Sequence, residues 1–404
     1  MLFIFVPLRY TRERIEHQQK GTAMVMPCQQ IESSIFGQVP MIKSSYKFKI
    51  TSDQIQPASF DFRLGTIGYR IRSAALPHNE KVSDLIEKYK KYDFPLDTEH
   101  SHYLEAGDER RRMTYIIPLL ESLALPSDTR AEFTAKSSTG RCDVFVRVLA
   151  DGVEGYDEVP PGYHGPLYLE VTPLSHDVLV KTGTKLVQGR FKTTATARVT
   201  GKELQELHMR QAIMFADESR PLALNELDIV SDELYFHINL KRDVVGFVAK
   251  DSTLPIDLDA TEVHEPYDFW EPIRRPKDGM LELLPGKFYL LATKERVRIP
   301  RECCGQVQAY KVTSGEMRPH YAGFFDNGFG GERGTNGVLE VRAREVTMRV
   351  VDGQRICAMA FERTFEVPNR LYGDGSSYTG TGPSISKHFK NRYDVWHTGY
   401  WSQW

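Results

Sequence analysis

Tyr115-Ile-Ile-Pro-Leu-Leu-Glu121, followed by Pro126, returns later in the chain as Phe288-Tyr-Leu-Leu-Ala-Thr-Lys-Glu295, followed by Pro300. Each is a short apolar run closed by a glutamate, the pattern of a buried strand. The match extends outward from both runs. A glycine and an aromatic precede each one, Gly68-Tyr69 and Gly246-Phe247. Ala150 and Leu169-Glu170-Val171 follow the first; Ala322 and Leu339-Glu340-Val341 follow the second. The partners of Gly68, Glu121, Pro126, Ala150 and Glu170 lie 178, 174, 174, 172 and 170 positions on, a drift that short insertions and deletions explain. Five matches in order predict a tandem duplication of one β-domain, over 28–205 and 219–395.

The rest of the chain fits a mainly β fold of sandwich or barrel type with few short helices. Alternating runs recur at Ser59–Leu64, Cys142–Leu149, Leu167–Val171, Leu234–Leu240 and Val346–Val351, punctuated by Gly, Pro, Asp and Asn. Helical spacing is confined to Asp84–Lys91 and Lys202–Ala216. The second supplies a connector between the halves, placed at 206–218. Residues 1–27 read as an extension where disorder is expected, and 396–404 as an aromatic tail. Met1–Pro7 is apolar but short, and it lacks the basic leader and cleavage site of a signal peptide.

With 404 residues, 41% of them hydrophobic and 26% charged, the chain has the apolar material for more than one core. Lys+Arg 52 against Asp+Glu 54 advertises no basic surface for a nucleic acid, although a local cluster could hold a small anion. No apolar run is long enough to span a membrane. Cys28, Cys142, Cys303, Cys304 and Cys357 are odd in number and form no CxxC pair, so free thiols in a reducing cytoplasm are expected.

Three segments carry chemistry. Lys136-Ser137-Ser138-Thr139-Gly140-Arg141 combines hydroxyls, a glycine and two cations, which suits an anion or a polarised carbonyl. A plain solvated turn has the same composition. His320-Tyr-Ala-Gly-Phe-Phe-Asp326-Asn-Gly-Phe-Gly-Gly331 reads as a hairpin in which Gly323 admits a close neighbour and Asp326 could accept from a sugar hydroxyl. Its aromatics would serve equally in a core. Glu170 and Glu340 each lie inside an apolar strand, on a solvent face or in a cleft. Desolvation in a cleft would raise such a carboxyl toward the neutral range that proton transfer needs. Zinc is not indicated: His78-Asn79-Glu80 matches HxE, but no PCxxC follows it. His264-Glu265 does not extend to HExxH.

Together these motifs resemble the superfamily of trimeric dUTPases and dCTP deaminases, with distorted β-barrel or jelly-roll domains. Within it the likeness is to the double-length bacterial dCTP deaminases, and it covers about residues 28–390. Ile55-Gln-Pro-Ala-Ser-Phe-Asp-Phe-Arg-Leu-Gly65 looks like their opening strand, and Arg370-Leu-Tyr-Gly…Ser377-Tyr378 like their nucleotide-covering tail. The resemblance implies hydrolytic deamination of dCTP to dUTP and ammonia. Ser137 would position base and water, Arg141 would lie near the reacting water, and Glu170 or Glu340 would be the general acid/base. It implies base contacts from Ala150 or Ala322 and a sugar contact from Asp326. Phosphate and nucleotide contacts would come from Lys136, Ser138, Tyr378, Lys387 and Lys390.

Each half departs from the family pattern. Ala309–Glu316 has neither the Ser-Ser pair nor the arginine, and Pro160 stands where the first half would need the aspartate. Two sites are therefore open: a composite of the Ser137/Arg141 loop with Ala322, Asp326 and Glu340, or the loop with Ala150 and Glu170 of another first-type domain. The resemblance further implies Mg²⁺ carried by the triphosphate, dTTP as an inhibitor and a trimeric homo-oligomer. A dUTP diphosphatase, a bifunctional enzyme and an inactive nucleotide-binding scaffold are the alternatives.

Overall fold

The computed structural model describes residues 24–108, 111–193, 198–308, 317–319, 323–343, 345–373 and 382–390. Its two halves repeat one strand order. The first central sheet runs Lys90–Pro95, Ile67–Ile71, Thr114–Ala124, His164–Pro173, Val144–Ala150, with Ile42–Ser44 also on Thr114–Ala124. The second runs Trp270–Arg274, Val244–Ala249, Phe288–Val297, Thr335–Ala343, Met317–Pro319, with Met214–Phe215 on Phe288–Val297. Each half adds a further sheet. One is ordered Phe60–Phe62, Val187–Thr193, Thr129–Ala135, Glu158–Val159; the other Ile229–Val230, Glu233–His237, Arg355–Arg363, Cys303–Val307, Phe324–Phe325. The duplication read from the sequence is thus present in the strand order, with Ile229–Val230 and Ile256–Asp257 as strands of the second half that have no counterpart in the first.

Side-chain alternation decides where the two glutamates point. Leu167, Leu169 and Val171 enter the core of the first half, and Leu339 and Val341 that of the second. Glu170 and Glu340 therefore sit on the opposite faces of their strands. What covers those faces differs. In the first half the Val82–Tyr89 helix packs Val82 and Ile86 on Ile71, Ile116 and Leu149. In the second half the chain between the equivalent strands forms only Ile256–Asp257 and a 3-10 turn at Pro266–Asp268. Ile256–Asp257 pairs in parallel with Val178–Val180 of the first half.

The core of the first half extends into the second, where Trp270, Phe288 and Phe389 cluster with Phe60, Val146 and Leu167, beside the second half's own clusters around Phe236 and Leu291. The helix expected at Lys202–Ala216 spans Gly201–Arg210. Thr200 and Glu203 cap its start reciprocally, with Thr200 N–H donating to the Glu203 carboxylate at 2.8 Å. Met214 and Phe215 then join the second central sheet, so the connector placed at 206–218 is part helix and part strand. Residues 1–23 and 391–404 lie outside the described residues. Val25, inside the expected extension, is buried and bridges to Lys192 and Thr364. All five cysteines are free.

Candidate active site

The Ser137–Gly140 segment follows the Thr129–Ala135 strand as one helical turn. Thr139 and Gly140 N–H donate to the Lys136 carbonyl at 2.9 and 3.0 Å, and Arg141 N–H to Ser137 at 3.0 Å. Ser137 is exposed, whereas Ser138, Thr139 and Gly140 are buried. The far end of the chain braces this turn. Ser386 Oγ donates to the Ser138 carbonyl at 2.9 Å, and Arg141 Nη1 donates to Ser384 Oγ at 2.6 Å.

Glu340 reaches the same turn from the second half. A Cβ placed on Gly140 would lie 2.2 Å from Glu340 Oε2, so only glycine leaves room for the carboxyl. Burial pushes Glu340 up to about 8, with Arg141 opposing and Asp143 reinforcing the rise. A carboxyl in that range can both take and give a proton near neutral pH.

Ser137 and Glu340 line a small chamber of about 50 Å³ with Phe325, Gly337, Val338 and Leu339. It adjoins a cleft of about 510 Å³ lined by Lys136, Arg141, Lys185, Lys387 and Arg370 together with Asp53, Asp61, Asp259 and Asp326. Lys136 pairs with Asp61, and Lys185 with Asp53. Burial, then the nearby Lys136, lowers the Lys387 pKa. Asp326 enters the cleft held by Arg190, whose Nη2 donates at 3.2 Å, and by Ser59 Oγ at 3.4 Å. Burial raises Asp326 while Arg190 opposes the rise. Arg190 is itself buried, donates to the Gly305 carbonyl at 3.1 Å and stacks 4.1 Å from the Phe324 ring.

The structure thus gathers Ser137, Ser138, Arg141, Lys136, Asp326, Glu340 and Lys387 of the residues singled out in the sequence. It leaves three elsewhere. Glu170 is buried on its own sheet face beside the Tyr156 hydroxyl, 3.5 Å away, where burial pushes it up to about 7. The Ala150 carbonyl accepts from Val153 N–H at 3.2 Å, and Lys390 pairs with Glu265. Ala322 and Tyr378 lie outside the described residues.

Asp61, Lys185 and Arg190 escaped the sequence reading. Asp61 had a signal: between Phe60 and Phe62, both core residues, alternation puts it on the other face. Arg190 had none, because its partners Asp326 and Glu362 are more than a hundred positions away. Among the described residues no three His, Cys, Asp or Glu side chains gather in a way that could hold a metal ion. No helix among them is long and apolar enough to cross a membrane.

Known proteins share this fold and sequence pattern. Residues 22–195 match the 2′-deoxycytidine 5′-triphosphate deaminase (DCD) N-terminal domain, and residues 200–389 match the C-terminal domain. A dCTP deaminase of Haloarcula marismortui is 29% identical over 149 residues, 35% of this chain and 68% of that protein. The crystal structure of 2′-deoxycytidine 5′-triphosphate deaminase from Agrobacterium tumefaciens matches with a TM-score of 0.77 at 34% identity, over 86% of this chain and 100% of that one. With both domains matched in order and a solved relative covered end to end, the chain belongs to the 2′-deoxycytidine 5′-triphosphate deaminase family.

Proposed function

We propose that this protein converts dCTP to dUTP and ammonia at a site built from both halves of one chain, with Glu340 as general acid/base. The observation that carries this reading is the contact of the Glu340 carboxyl with the Gly140 turn, between Ser137 and Arg141. The cytosine lies against Ser137 and Glu340 where the small chamber meets the larger cleft, and the triphosphate lies among the cations of that cleft. Asp326 accepts from the sugar hydroxyl. The Ala322 carbonyl and Tyr378 complete the nucleotide contacts that the family resemblance implies.

Glu340 takes a proton from water as the oxygen attacks C4, and passes it to N3. It then carries the second water proton to the amine, the C4–N bond breaks, and ammonia leaves a carbonyl behind. Ser137 holds water and amine in line, and Arg141 lowers the energy of the negative charge that develops. Mg²⁺ enters as part of the substrate triphosphate. Feedback inhibition by dTTP, a trimer of chains and a cytoplasmic setting complete the proposal, on family resemblance and composition.

The test is release of ammonia from dCTP and of pyrophosphate from dUTP, for the wild type, Glu340→Gln and Glu170→Gln. Ammonia without pyrophosphate is expected. Glu340→Gln should lose on the order of 10²–10⁴-fold in rate, and Glu170→Gln should keep its turnover. Full activity in Glu340→Gln would overturn the composite site, and pyrophosphate release would favour the diphosphatase or bifunctional alternative.

A further inference from the structure

A site split between two halves needs something to fix the distance between them. Two residues beyond Arg141 lies Asp143, fully buried; two residues beyond Glu340, on the same strand face, lies Arg342. These two form an ion pair across the halves. Ser175 Oγ donates to the same Asp143 oxygen at 2.5 Å and lies 3.1 Å from Arg342 Nη2. Arg342 Nη1 donates to the Gly286 carbonyl. Leu174 N–H donates to the Asp143 carbonyl at 3.0 Å, tying the backbone of this corner as well.

We propose that Asp143, clamped by Arg342 and Ser175, is a positioning residue that sets the Glu340 strand against the Ser137–Arg141 turn. It touches no substrate; it acts through the two elements that do. The inference rests on the proposed role of Glu340. A guanidinium held at both ends has little freedom to slide, and it fixes the strand position next but one to Glu340. A displacement of about 1 Å at a reacting group costs on the order of 10²-fold in rate.

Asp143→Asn is the informative substitution. Asp143 has a left-handed backbone, φ 56°, which Asn also tolerates, so the change removes charge without backbone strain. The charged groups around Asp143 are Arg342 and Arg112, with Arg141 and Glu340 close by. Removing its negative charge from beside Glu340 should also move the acid limb of kcat/KM to lower pH. The expected result is a kcat lower by on the order of 10²-fold, a KM for dCTP little changed, and that shifted limb. An unchanged kcat, or a loss confined to KM, would overturn the proposal. If Asp143→Asn shows no cooperative melting, Arg342→Lys and Ser175→Ala are measured instead; both should lower kcat, and Ser175→Thr should recover it. Wild-type kcat in those two variants would be equally fatal. Glu340→Gln is assayed alongside. If it is fully active the reading of the site fails; if it is inactive while Asp143→Asn is normal, only the positioning role fails.

Discussion

His237 holds in the second half the position that Arg63 holds in the first. Arg63 donates its backbone N–H to Glu121 at 2.9 Å and its Nε at 2.7 Å. His237 donates its N–H to Glu295 at 2.9 Å, with Nδ1 2.8 Å from the second oxygen. Both follow a core phenylalanine, Phe62 and Phe236. The duplication has kept the grip on the buried glutamate and exchanged a permanent cation for a titratable one.

This exchange predicts a pH-dependent stability. The Glu295 bond raises the His237 pKa above 6.5, although burial opposes it; Asp228, itself paired with Arg355, faces the other ring nitrogen at 3.2 Å. The stabilisation is therefore complete below about pH 6.5 and is lost as pH rises through the elevated folded value. Melting of the wild type and His237→Gln should differ by on the order of 1 kcal/mol at low pH and converge at high pH. A constant gap across that range would refute the assignment.

Gly140→Ala should fold and fail. The added methyl meets the Glu340 carboxyl at 2.2 Å, and one of the two must move. A fall in ammonia release on the order of 10²-fold is expected with cooperative melting retained. Normal turnover would show that Glu340 does not need its place beside the turn.

Turnover should follow the ionisation of Glu340. With its pKa at about 8, kcat/KM for dCTP should rise with pH up to that region and then level off, since the carboxylate is the form that accepts a proton from water. Arg141 pulls the value down, so Arg141→Ala should move the limb upward besides slowing the reaction. A flat profile between about pH 6 and 9 would contradict this assignment.

Lys387 should act on binding. It lines the cleft with Lys136 and Lys185 and approaches from the C-terminal segment. Lys387→Ala is expected to raise KM for dCTP about tenfold, corresponding to about 1.4 kcal/mol, with a smaller change in kcat. The defect should shrink at high salt, where screening already weakens the wild type. An equal penalty on dCMP would argue against a phosphate contact.

Arg190→Met removes the one cation that Asp326 and Glu362 share, at 3.2 and 3.9 Å. Glu362 keeps Lys192 at 2.8 Å, but leaving Asp326 buried without its ion-pair partner costs about 3–5 kcal/mol. A clear drop in Tm is expected, read by thermal melting, and an unchanged Tm would show that these charges are better solvated than their burial implies.

The strand pattern was legible in the sequence because alternation and turn residues act over a few positions. Thr114–Ala124 and Phe288–Val297, His164–Pro173 and Thr335–Ala343 lie where the repeated apolar runs put them. The end of the Gly201–Arg210 helix was not, since the apolar spacing continues while Met214 and Phe215 find sheet partners on a strand some eighty positions away. The Ser137–Arg141 turn, Asp326 and Glu340 were visible as residue types, and which glutamate joined the turn was left open.

What the sequence alone determined is a duplicated β architecture and a set of groups suited to proton transfer and anion binding, because both follow from local periodicity and side-chain chemistry. Only the tertiary structure shows that, within one chain, it is Glu340 and not Glu170 that meets the Ser137–Arg141 turn. The two strands are nearly alike, but the Val82–Tyr89 helix packs on the sheet face of one, and the Gly140 turn of the opposite half meets the carboxyl of the other. Burial and proximity across 200 positions arise from packing, and packing is set by the whole chain at once.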